Sequence, residues 1–147
     1  MGARKRISAD KRKEAKRNTC TASLKGRPTS PRKMRLVVDT IRGLDVDKAI
    51  NVLTFTRRET ADDVLKLLKS AINNWEQKFK TSPEESQLYV KTISVDQGRT
   101  IKRFLPAPMG RAYRVRKRSC HVNLELASRL NDAAVAEEVE SNNTDKA

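Results

Sequence analysis

Apolar residues recur at helical spacing in three parts of the chain. In the first, Met34, Val37, Val38 and Ile41 fall on one face of a helix. Its start and end are also marked, because Ser30 can cap a helix, Pro31 suits the first helical position and Gly43 can adopt the left-handed conformation that follows a last turn. The pattern predicts an amphipathic helix whose exposed flank is cationic.

Two more helices are predicted downstream. A short one begins near Asp45 or Val46, and a longer one runs from about Thr60 to Phe79. Trp75 and Phe79 lie on the apolar stripe of the longer helix, so we expect them to anchor a core rather than to stack on nucleic-acid bases. Arg57 and Arg58 mark a basic turn between the two helices.

Two other segments alternate with the period of a strand. "QLYVKTISV" is rich in β-branched and aromatic residues and predicts a strand that ends at about Val95. In "CHVNLELA" the residues Cys120, Val122, Leu124 and Leu126 alternate with polar ones, which is typical of a sheet covered on one side only. The predicted fold class is α+β: an antiparallel sheet packed on helices.

The segment 96–119 between these strands is too long for an ordinary hairpin loop. It carries eight Lys and Arg residues and no carboxylate after Asp96. Strand-like residues flank a cluster of Pro106, Pro108 and Gly110, so we predict a protruding two-stranded ribbon with its tip there. Such a ribbon is only marginally stable alone, and its charges suit closely packed phosphates, as in folded RNA.

Composition extends this prediction to the whole chain. The 147 residues fit one domain with appendages, and 32 Lys and Arg against 18 Asp and Glu give a formal charge of +14. So large an excess indicates an anionic partner, either nucleic acid or an acidic membrane surface. No segment approaches the roughly 20 apolar residues that span a bilayer, so we expect no membrane partner.

The ends of the chain differ in charge. Residues 1–20 form a predicted basic arm that cannot order itself alone, either a solubilising segment or, as we favour, one that orders on RNA. Residues 21–130 form the predicted globular RNA-binding domain, with the hairpin at 96–119. Residues 131–147 are acidic and are expected to be a disordered tail, directed away from the polyanion.

Neither a metal site nor a cofactor site is predicted. Cys20 and Cys120 lie far apart in the sequence, and His121 is the single histidine. Cys120 and His121 are adjacent, but neighbouring side chains on a strand point to opposite faces. We therefore expect a buried thiol beside an outward ring and no enzyme, although a hydrolase that uses this pair stays as a remote alternative.

Three motifs taken in order resemble a known family. "SPRKMRLVVDTIRG", "LKSAINN" and "KRFLPAPMGRAYRVRKRSCHVNL" together resemble the bacterial-type large-subunit ribosomal protein L22 family, over about residues 21–126. The resemblance implies a three-stranded sheet with three helices, seated near the polypeptide exit of the large subunit. It also implies that the protein aids assembly in the cytoplasmic ribosome, and that a hairpin threads into ribosomal RNA with its tip in the wall of the nascent-chain tunnel.

The resemblance and the charge pattern together give the expected site residues. Ribosomal RNA contacts are predicted at Ser30, Arg32, Lys33, Arg35, Arg99, Lys102, Arg103, Arg111, Arg114, Arg116, Lys117, Arg118 and His121. The tunnel tip is predicted at Phe104, Leu105, Pro106, Ala107, Pro108, Met109 and Gly110. Many members of the family carry Arg after the tip proline and Lys before the glycine, whereas this chain has Ala107 and Met109.

The expected partners are large-subunit ribosomal RNA, neighbouring large-subunit proteins and, transiently, the nascent polypeptide; no homo-oligomer is expected. The alternative is a free-standing architectural protein that binds DNA, with its ribbon in a groove and its prolines as wedges. A strong preference for duplex DNA over folded ribosomal RNA would favour that alternative.

Overall fold

The computed structural model describes residues 2–17, 19–82 and 86–130. It is an α+β fold, as predicted, in which helices cover one face of a three-stranded antiparallel sheet. The elements in chain order are α1 (Gly2–Arg17), β1 (Thr19–Arg27), α2 (Pro31–Ile41), α3 (Val46–Phe55), α4 (Glu59–Phe79), β2 (Leu88–Pro106), a 3-10 turn (Pro108–Gly110) and β3 (Ala112–Ser128).

The strand order is β1-β3-β2, so β3 is central and both neighbours pair with it in antiparallel fashion. The third strand was implied by the family resemblance and not by the residue pattern. The pattern of β1 is weak because its inward residues, Cys20 and Ala22, are small, and Lys25 and Arg27 dilute its apolar character. It starts at Thr19, two residues before the predicted domain boundary.

The core lies between the sheet and the helices α2, α3 and α4. Trp75 on α4 is 1% exposed, and the inward residues Val122, Leu124 and Leu126 of β3 are equally enclosed. The ring of Phe79 packs on that of Trp75, with 4.1 Å between centroids. The prediction that both aromatic residues anchor the core is confirmed.

The predicted ends of α2 are also observed. The carbonyl of Ser30 accepts a hydrogen bond from the amide of Met34 at 3.2 Å, although the Ser30 side chain makes no cap bond. Gly43 has a φ of 75°, the left-handed conformation that the sequence predicted, and its amide donates to Val90 O at 3.1 Å. This bond attaches the end of α2 to strand β2.

The N-terminal segment differs from the expectation that it has no order of its own, because Gly2–Arg17 is helical. No apolar stripe marks α1, and the side chains described at 4–13 are exposed. Over residues 4–13, the helix therefore rests on the intrinsic helix preference of residues such as Arg and Lys, and not on burial. The predicted acidic tail, 131–147, lies outside the described residues.

Two ion-pair clusters connect distant parts of the body. Arg27 Nε on β1 lies 2.7 Å from Asp63 Oδ2 on α4. Arg129, just after β3, donates from Nη2 to Asp45 Oδ1 at 2.8 Å, and its guanidinium carbon lies 5.1 Å from the centroid of the Tyr89 ring. The second cluster fixes the end of β3 against the start of α3.

Candidate nucleic-acid interface

The predicted ribbon is the continuation of β2 and β3 beyond the core. Pairing runs without a break from Thr100 opposite Arg118 to Pro106 opposite Ala112. Residues that face each other across antiparallel strands share a face of the ribbon, and the faces alternate along each strand. The hairpin therefore has two faces whose composition can be derived from this register.

The two faces differ in charge. One carries Lys102, Arg114, Arg116 and Arg118, together with Phe104. The other carries Arg103 and Lys117 among mainly apolar or aromatic residues: Ile101, Leu105, Tyr113 and Val115. Cations occupy both faces, but one face is markedly more cationic. We call it the cationic face.

On the cationic face, like charges lie directly opposite each other. Lys102 pairs in register with Arg116. The neighbouring pairs of the same face, one on either side, add Arg114 and Arg118. Like charges in directly opposed positions destabilise a strand pair, and the segment 97–119 contains no Asp or Glu that could compensate. A polyanion on this face would remove the repulsion.

The predicted tip residues form the apex of the hairpin. Phe104, Leu105 and Met109 are exposed by 71%, 54% and 94%, so none of them belongs to a core. The amide of Ala107 donates to Arg111 O at 2.9 Å and closes the turn. Met109 and Gly110 both have positive φ, 61° and 72°, a conformation that is easy for glycine and strained for methionine.

The base of the hairpin meets the start of α2. A cleft of about 700 Å³ is lined by Pro28 and Ser30 on one side and by Arg99, Arg116 and Arg118 on the other. Ile101 is also part of this lining and is 41% exposed. We call this space the hairpin-base cleft; it unites two groups of predicted site residues that lie about 70 positions apart in the sequence.

The remaining predicted residues of α2 divide into two groups. Arg32 and Lys33 are exposed on its first turn. Arg35 is also exposed, but its Nη2 donates to the backbone carbonyl of Val95 at 2.9 Å, at the edge of strand β2. Arg35 therefore has a role within the fold, since it supports the strand where the hairpin leaves the body.

His121 lies where both outer strands have a register irregularity. Its Nδ1 accepts a hydrogen bond from the amide of Gly26 at 2.9 Å, opposite the irregularity in β1. The irregularity in β2 lies at Gly98 and Arg99, where Ser119 Oγ donates to Arg99 O at 2.8 Å. Bulges bend and twist a strand pair, so this level of the sheet directs the hairpin. The structure gives His121 a supporting role, and its contact with RNA stays a prediction.

Cys120 and His121 do not form a nucleophile and base. Cys120 is fully enclosed in the core, and burial raises the pKa of its thiol above the ordinary value. A thiol whose pKa is raised is mostly protonated at neutral pH and is a poor nucleophile. His121 points to the other side of the strand, as the alternation predicted.

The part of the chain that the structure describes contains neither a helix that could span a membrane nor a cluster that could hold a metal ion. No helix there combines the length and apolarity needed to cross a bilayer. Nor do three or more His, Cys, Asp or Glu side chains gather there in an arrangement that could hold a metal ion.

Known proteins are similar to this chain over most of its length. The family model described as ribosomal protein L22p/L17e matches residues 22–127. The chain belongs to the ribosomal protein L22p/L17e family. The resemblance found in the three sequence motifs is thereby confirmed.

Curated relatives agree with the family match. A protein of Bacteroides fragilis is 56% identical over 132 residues, 90% of this chain and 97% of the relative. One of Parabacteroides distasonis is 58% identical over 84% of this chain and 91% of the relative. One of Flavobacterium johnsoniae is 54% identical over 87% and 94%. All three are named large ribosomal subunit protein uL22.

Some residues of this interface were not among the predicted site residues. Pro28 and Ile101 line the hairpin-base cleft, and Gly98 permits the close approach of Ser119. Arg58 was noted only as part of a basic turn, yet it borders a groove beside α2. Ile101 could have been identified from the sequence, because it is an apolar residue within a cationic segment. The other contacts depend on tertiary geometry.

Proposed function

We propose that the chain is a non-catalytic structural component of the large ribosomal subunit in the cytoplasm. Its hairpin and the start of α2 bind large-subunit ribosomal RNA, and its hairpin tip lines the tunnel through which the nascent polypeptide leaves. Binding of the RNA by this chain aids assembly of the subunit. Neighbouring large-subunit proteins are further partners. The family and the names of the relatives support this placement.

The observation that carries the proposal is the cationic face of the hairpin. Lys102 and Arg116 face each other in register, with Arg114 and Arg118 on the same face and no carboxylate within the hairpin. An exposed ribbon of this kind repels itself in water and is stabilised when phosphates lie against it. Folded RNA offers such phosphates on several sides, which also suits Arg103 and Lys117 on the other face.

The hairpin-base cleft extends this surface to the body. Ser30 stands at the start of α2, and Arg99, Arg116 and Arg118 face it across the cleft. Arg32 and Lys33 add exposed charge on the first turn of the helix. A phosphate backbone that runs along the cationic face would therefore meet further positive charge on the body.

Co-sedimentation tests the proposal. The tagged full-length chain, expressed in its own bacterial host, should remain with large subunits that are pelleted through a high-salt cushion. A loosely bound factor would be lost, because counterion-driven binding weakens steeply with salt. In competition at a stated salt concentration, duplex DNA should displace ribosomal RNA poorly; preference for DNA would contradict the proposal.

A charge-matched pair of variants localises the contact. Lys102→Gln with Arg116→Gln removes two charges from the cationic face, whereas Lys66→Gln with Lys69→Gln removes two exposed charges from α4. The first pair should lower RNA affinity and reduce the slope of log K against log salt by about 1.4 to 1.8. Equal effects of the two pairs would show that only net charge matters.

The tip can be tested separately. Its exposed residues carry no charge between Phe104 and Gly110, so we propose that it presents a neutral wall to passing peptides. Met109→Lys should change the passage of acidic or basic nascent segments, measured as ribosome pausing on reporter messages. Met109→Leu is the matched neutral control. Unchanged pausing on both kinds of reporter would contradict this role.

A further inference from the structure

A second groove lies on the body beside the hairpin-base cleft. It has a volume of about 570 Å³ and is bordered by the start of α2, the turn between α3 and α4, and the Pro28–Ser30 segment. Its size is in the range of small-ligand sites. Pro28 and Ser30 line both spaces, so the groove adjoins the hairpin-base cleft. We call it the α2 groove.

The lining of the α2 groove combines an apolar surface with flanking charge. Leu36 is 53% exposed although it lies on a helix whose other face is buried. Lys33 and Arg58 come from different elements and also line the groove. The hydroxyl-bearing residues Thr29 and Ser30 also line the groove. An apolar patch with cations on either side suits a ligand that is apolar in one part and anionic in another.

One carboxylate borders the groove, and it has a partner. Glu59 Oε1 lies 3.3 Å from Arg27 Nη2, and Arg27 also pairs with Asp63. Its charge is therefore partly compensated from within the protein. Lys33 and Arg58 remain to attract an anion, so the local field favours a negatively charged ligand.

We propose that the α2 groove holds a single unstacked nucleotide of the RNA strand that leaves the hairpin-base cleft. The base packs on Leu36 and Pro28, its phosphates lie near Lys33 and Arg58, and the hydroxyls meet base edges or a ribose 2′-hydroxyl. Proteins commonly recognise RNA through such splayed nucleotides, whose bases pack on side chains while cations hold the backbone. This inference rests on the proposed function, because it assumes that RNA occupies the neighbouring cleft.

Variants that separate base from phosphate contacts test the groove. The probe is full-length chain binding to transcribed large-subunit ribosomal RNA of the same organism. Leu36→Asn should lower affinity roughly 5-fold or more with an unchanged salt slope, since no charge is lost. Arg58→Gln should lower affinity and reduce the slope by about 0.7 to 0.9. Val52→Asn is the control, because Val52 is a 36% exposed aliphatic residue on α3 outside the groove lining.

A photocrosslink identifies the occupant. A benzophenone amino acid at position 36, in large subunits assembled in the cell, should crosslink to one unpaired ribosomal nucleotide. Removing that base from a synthetic RNA fragment should cost as much affinity as Leu36→Asn, and the two changes together should cost little more.

The outcomes separate the inference from the proposed function. If the unaltered chain binds the RNA but Leu36→Asn behaves like Val52→Asn, the nucleotide site is wrong and the proposed function stands. Crosslinks to another protein would also overturn the nucleotide as occupant. If the unaltered chain does not bind the RNA, the proposed function fails and the inference fails with it.

Discussion

Strands β2 and β3 pass through two regions of the molecule that differ in almost every physical respect. In the body, Val90 and Ile93 on β2 and Leu124 on β3 are nearly inaccessible to water. In the hairpin, the same two strands continue beyond the bulge at Gly98 and Arg99, yet Phe104 and Tyr113 are exposed by 71% and 66%. One hydrogen-bonded ladder thus joins a region with a core to a region without one.

This difference separates stability from binding. Burial of apolar side chains stabilises the body, whereas the hairpin has only its backbone ladder and cations that repel one another. Residues 97–119 hold eight cations and no Asp or Glu, while the body contains the paired carboxylates Asp45 and Asp63. We therefore expect changes in the core of the body to alter folding and changes in the cations of the hairpin to alter RNA binding.

Removal of the hairpin should have the largest effect on binding. Gln97 and Cys120 face each other, so Asn-Gly can replace residues 98–119 as a two-residue turn. Affinity for large-subunit ribosomal RNA should fall by at least about 100-fold, because eight cations are lost. The melting temperature should change little, since the core lies outside the deleted segment.

A hairpin of full length with its eight cations changed to Gln is the control for that deletion. It should lose most of the affinity while the segment is retained, which would assign the loss to charge. If the deletion instead abolishes cooperative unfolding, measured by circular dichroism, the hairpin is part of the core and the comparison fails.

Two aromatic truncations compare the regions directly. Trp75→Ala removes an enclosed ring and should lower the free energy of unfolding by about 3–5 kcal/mol, because it leaves a cavity. Phe104→Ala removes an exposed ring and should change it by no more than about 0.5 kcal/mol. Urea unfolding followed by circular dichroism measures both. A large loss with Phe104→Ala would show that the hairpin packs on the body in solution.

The sequence predicted the body and the hairpin unequally well. Pro31 and Gly43 bounded α2, and the alternation from Cys120 to Leu126 gave the covered face of β3, because burial imposes a regular period on the residues. β1 lacked such a signal, and the side chains of α1 that the structure describes at 4–13 are all exposed. The density of cations in the sequence indicated the hairpin. The difference in charge between its two faces could be derived only from the observed strand register.

The site was less predictable than the fold. Ser30 and Arg118 were both predicted to contact RNA, but nothing in the sequence places them on one cleft. The bond from Arg35 to Val95 O and that from Gly26 to His121 join segments that are 60 and 95 positions apart. Such contacts depend on how the elements pack, and periodicity gives no information about them.

Gly98 marks the boundary between the two regions. A Cβ atom there would lie 2.6 Å from Ser119 Oγ, 3.0 Å from His121 Nε2 and 3.2 Å from the carbonyl carbon of Ser119. Gly98→Ala should therefore lower the free energy of unfolding by about 1–3 kcal/mol, because backbone as well as side chain must shift. RNA affinity should also fall, since the bulge directs the hairpin.

A second substitution tests that explanation. Ser119→Ala removes the hydroxyl that makes the shortest of these contacts, so Gly98→Ala with Ser119→Ala should recover part of the stability lost by Gly98→Ala alone. The stability that the double variant does not recover measures the close contact between the new Cβ atom and the backbone of residue 119. If Gly98→Ala alone were as stable as the unaltered chain, the bulge would tolerate a side chain and would not set the boundary between the body and the hairpin.

The smallest expected effect concerns the charges of the body. Hydrogen bonds from Lys48 and Arg129 hold the pKa of the Asp45 carboxyl below its ordinary value. Because the pKa is lower in the folded state, the stabilisation is present above the ordinary carboxyl pKa and is lost as pH falls through the folded value. Asp45→Asn should lower the melting temperature slightly at pH 7, and the difference from the unaltered chain should shrink as the pH falls below the ordinary carboxyl pKa. Asp39→Asn should lower the melting temperature less than Asp45→Asn. Its partner Arg42 lies at the end of the same helix, so this ion pair does not join separate elements. Differential scanning calorimetry measures both, and a difference that persists at low pH would show that Asp45 acts through packing and not through its charge.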